Sequence, residues 1–340
     1  MLKISTAPHF YSPVDTRLIM RDVIIALAPA GLAAVALFGM AALITMVTAM
    51  AGCVLFEYVC SKWWLKTTPS TRDLSAVVTG LLLAYNLPCN MPVWMTLIGC
   101  FVAIVITKTA FGGIGKNLFN PALVGRVFLF ISFPVQMTTW MRPHLFDFMN
   151  ADVTTSATTL GILKHVDAAT SATQLTGSLS ELPGYLEMFL GYTGGSMGEV
   201  SALALLIGFL YLLYRKVISW HIPLYYLGTF FILTGICWLT TGSPAAEPVT
   251  HLLSGGLLLG AFFMATDYTT SPMSKNGRIV FAVGCGVLTF LFRYFGSYVE
   301  GVSYAILIMN CCVGFFDRIG VPKRFGAVRQ KKQKKGGAEA

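Results

Sequence analysis

The sequence predicts an all-α polytopic membrane protein of about ten transmembrane helices, arranged as two inverted five-helix repeats whose third helices are short and broken. Three observations carry this expectation. Hydrophobic residues make up 55% of the 340-residue chain and charged residues only 11%, against about 25% charged in soluble domains. The apolar residues fall into ten runs, five on each side of a polar interval at 138–199. The basic residues gather in alternate connections between these runs, the pattern of membrane proteins that keep Lys and Arg in the cytoplasm.

Residues 1–22 form a polar, basic N-terminal arm with Lys3, Arg17 and Arg21. No cleavable signal is expected, because the small-residue triplet Ala28-Pro29-Ala30 falls inside the first apolar run and not at its end. That run extends from Val23 to Phe56, too long for a single crossing of about 20 residues. Dividing it at Gly39-Met40 gives spans at 23–38 and 41–61. A basic loop with Lys62, Lys66 and Arg72 leads to a short third span from Leu74 to Pro88, opened by Asp73. The fourth span covers 93–112. Asn120 as N-cap with Pro121 at the first helical position marks the start of the fifth, and the first repeat occupies 23–137.

Residues 138–199 contain no apolar run of spanning length and read as an extramembrane segment. The second repeat, 200–316, places spans at 200–218, 222–241, 251–266, 279–294 and 299–316. Residues 317–340 form a basic tail. The third spans begin at 74 and 251, an offset of 177 residues, and Thr79-Gly80-Leu81-Leu82-Leu83-Ala84 parallels Gly255-Gly256-Leu257-Leu258-Leu259-Gly260. A repeat with an odd number of spans must place its second copy upside down, the architecture in which broken helices meet near the midplane and build a site.

With the N-terminus in the cytoplasm, 21 of the 24 basic residues lie on the cytoplasmic side, Lys108, Lys116 and Arg126 among them; Arg142, Lys164 and Arg293 lie outside. Both termini are therefore expected in the cytoplasm and 138–199 on the opposite face. The net charge of +9 is a topology signal and an attraction to anionic lipid, not the footprint of a nucleic-acid binder. The eight cysteines show no CxxC spacing; most lie within apolar runs and read as small buried hydrophobes, with the vicinal pair Cys311-Cys312 set apart, and no metal site is expected. There is no Ser/His/Asp triad and no Walker loop, and Gly112-Gly113-Ile114-Gly115 lacks the strand-and-helix setting of a nucleotide loop.

One polar loop stands out within 138–199. It reads Asp167-Ala168-Ala169-Thr170-Ser171-Ala172-Thr173-Gln174-Leu175. A threonine among small residues, following an acidic one, suits the cleft of a modifying enzyme better than a packed core, which makes it a candidate attachment site. The pattern resembles the flavinylation signature of the membrane subunits RnfD and NqrB. The resemblance implies FMN joined through its phosphate to Thr173 by a flavin transferase that uses FAD. Asp167, Thr170, Ser171 and Ala172 would form the recognition frame, with Ser171 where most relatives carry Gly. Further runs are similar to RnfD: Asp73 through Leu83, Asn117 through Gly125, Ile131 through Thr138, and His251 through Asp267.

From the resemblance follows an expected role as the flavin-carrying membrane subunit of an Rnf-type complex in the bacterial cytoplasmic (inner) membrane. Such a complex passes electrons between ferredoxin and NAD and drives Na+ or H+ outward, with other membrane, flavin and iron–sulfur subunits as partners. A noncovalent riboflavin is also implied, with no motif to place it. Two other readings stay open at this level: an NqrB-like subunit of a sodium-pumping quinone reductase, and a non-redox solute channel or transporter of inverted-repeat fold. Ser132, Phe133 and Trp140 at the outer end of the fifth span, and His251 at the start of the eighth, are candidate flavin-pocket residues, although interface anchoring or helix capping explains them too. Asp73, Glu57 and Asp267, ionisable groups in or beside spans, are candidates for ion handling or for structural capping.

Overall fold

A computed structural model describes residues 15–64, 66, 70–143, 157–168, 182–199, 201–243, 246–296 and 300–318. Among these, the secondary structure is helical throughout, apart from one isolated parallel bridge between Thr158 and Gly194.

Helix α1 runs Thr16–Trp63, opened by the Asp15 carboxylate, which accepts from the Thr16 N–H at 2.7 Å. Its 48 residues would extend about 72 Å at 1.5 Å per residue, more than twice a hydrocarbon core of about 30 Å. Gly39 resolves the excess. Its φ of 65° and ψ of −143° are non-helical and open to a residue without Cβ, so the chain turns where the sequence places the boundary between its first two spans.

Helix α2, Ser75–Tyr85, has 11 residues and opens at Leu74, held at φ 62° with no side-chain cap. Asp73 therefore does not cap it. That residue closes a preceding 3-10 turn, Ser70–Asp73. Helix α3 is α-helical over Val93–Phe101 and continues as a π-helix over Val102–Thr109. It ends in a run of glycines, Gly112, Gly113 and Gly115, all at positive φ. Helix α4, Pro121–Ser132, starts as the sequence predicts: the Asn120 side chain accepts from the Ala122 N–H at 3.1 Å.

A single helical turn, Pro134–Met137, follows, and then two short helices, α5 (Thr159–Ala168) and α6 (Tyr185–Leu190). Helix α7, Ala202–Tyr214, is capped by Ser201, and α8, His221–Thr241, is ended by Gly242 at φ 62°. Helix α9, Pro248–Leu253, is separated by Ser254-Gly255-Gly256 from α10, which is α-helical over Leu257–Leu259 and π-helical over Gly260–Met264. Helix α11, Lys275–Phe295, is capped by Ser274, and α12 spans Val302–Cys311.

Among the described helices, α1, α8 and α11 are long and apolar enough to cross a membrane. By contrast α2, α4, α7 and α12 have 10 to 13 residues, which is about 15–20 Å of helix, roughly half a bilayer core. Packing is densest within each half of the chain. Helix α1 lies on α2 and α3, and α3 on α4; α8 lies on α11, and α11 on α12. Contacts between the two halves join α1 to α7 and α4 to α12.

These contacts rely on small residues that let backbones approach, the usual device where lipid removes any hydrophobic drive to associate. A Cβ on Gly80 of α2 would lie 2.7 Å from the Ala49 carbonyl oxygen, and one on Gly208 of α7 would collide with the Ala26 carbonyl. Gly208→Val is accordingly expected to destabilise the contact between the halves by about 1–3 kcal/mol, the usual cost of overpacking. A lowered melting temperature of the detergent-solubilised protein would register it, and a wild-type melt would contradict this packing.

Candidate functional site

The short helices end against one another, and their ends carry charge. Arg126, in the second turn of α4, is 5% exposed. Its Nη1 donates to Asn86 Oδ1 at 2.7 Å and lies 3.1 Å from Glu199 Oε1, while Nη2 pairs with Glu300. Asn86 is the C-cap of α2; Glu199 precedes α7 and Glu300 precedes α12. One guanidinium thus ties together two helices of the first half and the starts of two in the second. Asn86 also donates to the Leu82 carbonyl at 2.6 Å and meets Met264 Sδ, at the end of α10, at 3.8 Å. Asn120 reaches the Met264 carbonyl at 3.3 Å.

A second guanidinium lies beside this network. Arg293, near the end of α11 and 4% exposed, donates to the carbonyls of His251 at 2.5 Å and Ser254 at 3.0 Å. It sits 5.2 Å from the centre of the Phe230 ring. The last carbonyls of a helix have no intrahelical donors, and Arg293 supplies them where α9 breaks off. The first half has a counterpart. Lys108, at the end of α3, donates to Glu57 Oε1 at 2.8 Å and to Ser75 Oγ, at the first residue of α2, at 2.7 Å. In each half a buried cation, Lys108 on α3 and Arg293 on α11, bonds to the end of a short helix, the start of α2 and the end of α9.

Burying charge costs several kcal/mol per ion, and only close pairing and further hydrogen bonds offset it. Ionisable groups at such depth are functional candidates for that reason. Two cavities adjoin the pairs. A small one of about 20 Å³ is lined by Glu199, Glu300, Ser254, Thr158 and Thr159, room for about one water. A larger one of about 100 Å³ lies between the halves, where Lys108, Thr79, Asn117, Asn120 and Asp267 meet apolar walls from α1 and α7.

The sequence-predicted residues fall as follows. Asp167 belongs to the last turn of α5; Thr170, Ser171, Ala172 and Thr173 lie outside the described residues. The helix leading to them is anchored: Leu160 and Leu163 are buried, and Lys164 Nζ donates to the Gly296 carbonyl at 2.8 Å. Burial also lowers the Lys164 ammonium below the ordinary lysine range. Ser132 is exposed at the end of α4, and Phe133 meets Trp94 edge-on at 5.5 Å. Trp140 is 9% exposed. His251 belongs to another aromatic group, 5.4 Å from Tyr294 and 6.5 Å from Phe230. Glu57 is the partner of Lys108. Asp267 accepts from Thr269 Oγ1 at 3.0 Å and Thr270 Oγ1 at 3.3 Å.

Lys108 and Arg126, expected among the cytoplasmic loop charges, are 3% and 5% exposed and engaged in ion pairs. They are structural cations of the interior and carry no weight in the charge bias of the loops, which the remaining basic residues still supply. Sequence reasoning missed Arg126, Glu199, Glu300 and Arg293 as one network. A signal was present: an arginine inside a capped, otherwise apolar helix demands a counter-charge, and Glu199 and Glu300 each stand at the entry to a span.

Fold and network define a polytopic helical membrane protein whose centre is built from half-length helices held by buried ion pairs. The chain belongs to the NQR2, RnfD, RnfE family, whose sequence profile matches residues 3–326. It is 42% identical to the D subunit of the Na(+)-translocating ferredoxin:NAD(+) oxidoreductase complex of Acetobacterium woodii, over 98% of both chains. It is 43% identical to the D subunit of the proton-translocating ferredoxin:NAD(+) oxidoreductase complex of Clostridium ljungdahlii, over 96% of both. The D subunit of the ion-translocating oxidoreductase complex of Halorhodospira halophila is 37% identical over 97% of each chain.

Proposed function

We propose that the protein is the flavin-carrying D subunit of an Rnf-type complex that couples electron transfer between ferredoxin and NAD to Na+ or H+ translocation, and that Thr173 carries FMN as a phosphoester. The observation that carries the reading is the segment Asp167 to Thr173, which begins in the last turn of α5. A flavin tethered at Thr173 would supply one- and two-electron redox chemistry. The chain's own part is to anchor the tether through α5 and Lys164, and to keep Glu199 and Glu300 paired with Arg126. A bond to Thr173, installed by a flavin transferase, prevents loss of the cofactor into the aqueous volume outside.

The same reading has ten crossings in two inverted repeats, 23–137 and 200–316, in a bacterial inner membrane, with 1–22 and 317–340 cytoplasmic and 138–199 external. Support comes from packing that is densest within each half and from the two buried cations that bond to the ends of short helices. A noncovalent riboflavin belongs to the same reading with no residues assigned to it, since the cavity between the halves, at about 100 Å³, is too small to hold one. Two relatives at 42% and 43% identity are named for different ions, so whole-chain likeness does not sort Na+ from H+.

Co-expressed with its flavin transferase and run on a denaturing gel, the protein is expected to give a flavin-fluorescent band that Thr173→Ala abolishes. A dark wild-type band would remove the covalent flavin from this reading. Ferredoxin oxidation by the purified complex tests the Rnf role separately.

A further inference from the structure

A third cavity, of about 240 Å³, lies at the turn between α7 and α8, against the loop from Thr266 to Arg278. It shares no residue with the buried charge network. Lys216 and Arg278 line it together with Ser219, Ser271 and Tyr268, and no carboxylate is among its lining residues. The acids nearby are engaged elsewhere. Asp22 pairs with Arg215 at 3.0 Å, Asp267 accepts from Thr269 and Thr270, and Asp317 accepts from the Met273 N–H at 2.7 Å.

Of the two cations, Arg278 is held by hydrogen bonds and Lys216 is exposed. Arg278 donates through Nε to the Pro272 carbonyl at 3.0 Å and through Nη1 to Ser219 Oγ at 3.2 Å. Lys216 ends α7 at φ 56°, a left-handed conformation that glycine enters without penalty and lysine does not. Ser219 and Ile222 place the first turn of α8 at the cavity wall, and the α8 cap residue Trp220 gives it no side-chain acceptor. The positive end of a 21-residue helix therefore adds to the two side-chain charges. Tyr214, Trp220, Tyr268 and Met273 stand exposed around the same turn, at 85%, 51%, 51% and 82%, which provides apolar surface beside the basic one.

We propose that this cavity binds the phosphate of an anionic phospholipid headgroup, with Lys216 and Arg278 pairing the charge and the serine hydroxyls donating to it. Basic pockets between helices at a membrane surface recognise such headgroups. The site is independent of any flavin.

The test uses the full chain, purified in mild detergent and stripped of lipid, with native mass spectrometry after adding phosphatidylglycerol, phosphatidylcholine or inorganic phosphate. Wild type is expected to retain phosphatidylglycerol over the zwitterionic lipid. Lys216→Gly together with Arg278→Gln should bind it about tenfold more weakly, with a cooperative melt retained in lipid-free detergent. Lys216→Gly alone suits the left-handed backbone and should weaken binding by a smaller factor, which keeps the test valid if the double variant folds poorly. Thermal protection by inorganic phosphate equal to that by lipid would uphold the anion site and assign it to a soluble phosphate. Unchanged phosphatidylglycerol affinity in both variants, or equal retention of the two lipids by wild type, would overturn the proposal.

Discussion

Arg126→Met is expected to abolish ion translocation and to leave little folded protein in detergent extracts. The side chain is buried, and it is the common partner of Asn86, Glu199 and Glu300. Removing it strands two carboxylates in an interior of low dielectric, where breaking a buried pair costs about 3–5 kcal/mol. The informative companion is the triple variant Arg126→Met, Glu199→Gln, Glu300→Gln. Replacing a whole buried ionic group by neutral residues of similar size is often close to neutral for stability, so the triple variant should regain much of the wild-type melting temperature. If the network serves translocation, that variant folds and assembles but does not pump. A triple variant that pumps at the wild-type rate would reduce the network to a scaffold.

Lys108→Met should produce the second large effect. It leaves Glu57 buried without its ammonium partner and removes the donor to Ser75 Oγ at the first residue of α2. That helix opens at a left-handed leucine with no side-chain cap, so little else fixes its start. A loss of about 3–5 kcal/mol corresponds to roughly 4–7 °C in melting temperature for a chain of this size. Glu57→Gln combined with Lys108→Met should recover part of it, and a coupling on the order of 1–3 kcal/mol in the double-mutant cycle would mark direct contact. Additive losses would mean that the pair is not formed in the membrane.

The features legible in the sequence were those set by local chemistry. Gly39 marks the break in α1 because only a residue without Cβ reaches that backbone geometry cheaply, and Asn120-Pro121 marks the start of α4 through a cap and a fixed φ. The match to RnfD follows from motifs spread along the chain, and the family assignment agrees with it. The charge network was not legible as a unit, since the partners of Arg126 stand far from it in the chain, Glu300 by 174 residues. A π-helical stretch such as Val102–Thr109 carries no composition signal, and neither does the opening of α2 at Leu74. Lys108 reads as an ordinary loop cation until its partner on α1 is placed beside it. The segment Asp167 to Thr173 is the converse case: it resembles a modification signature in sequence alone, and Thr170 through Thr173 fall outside the described residues.

The break at Gly39 also gives the two arms of α1 different surroundings. The arm before it bridges both halves: Asp22 pairs with Arg215 and Ala26 closely approaches Gly208 of the second half, while Tyr85 of the first half donates its hydroxyl to the Leu27 carbonyl at 2.7 Å. The arm after it lies against the first half, where the Ala49 carbonyl accepts from Cys100 Sγ at 3.4 Å and Phe56 meets Phe101 at 5.6 Å. The leading arm is therefore the clamp between the halves, and the glycine joint lets it take that seat without dragging the trailing arm out of its own.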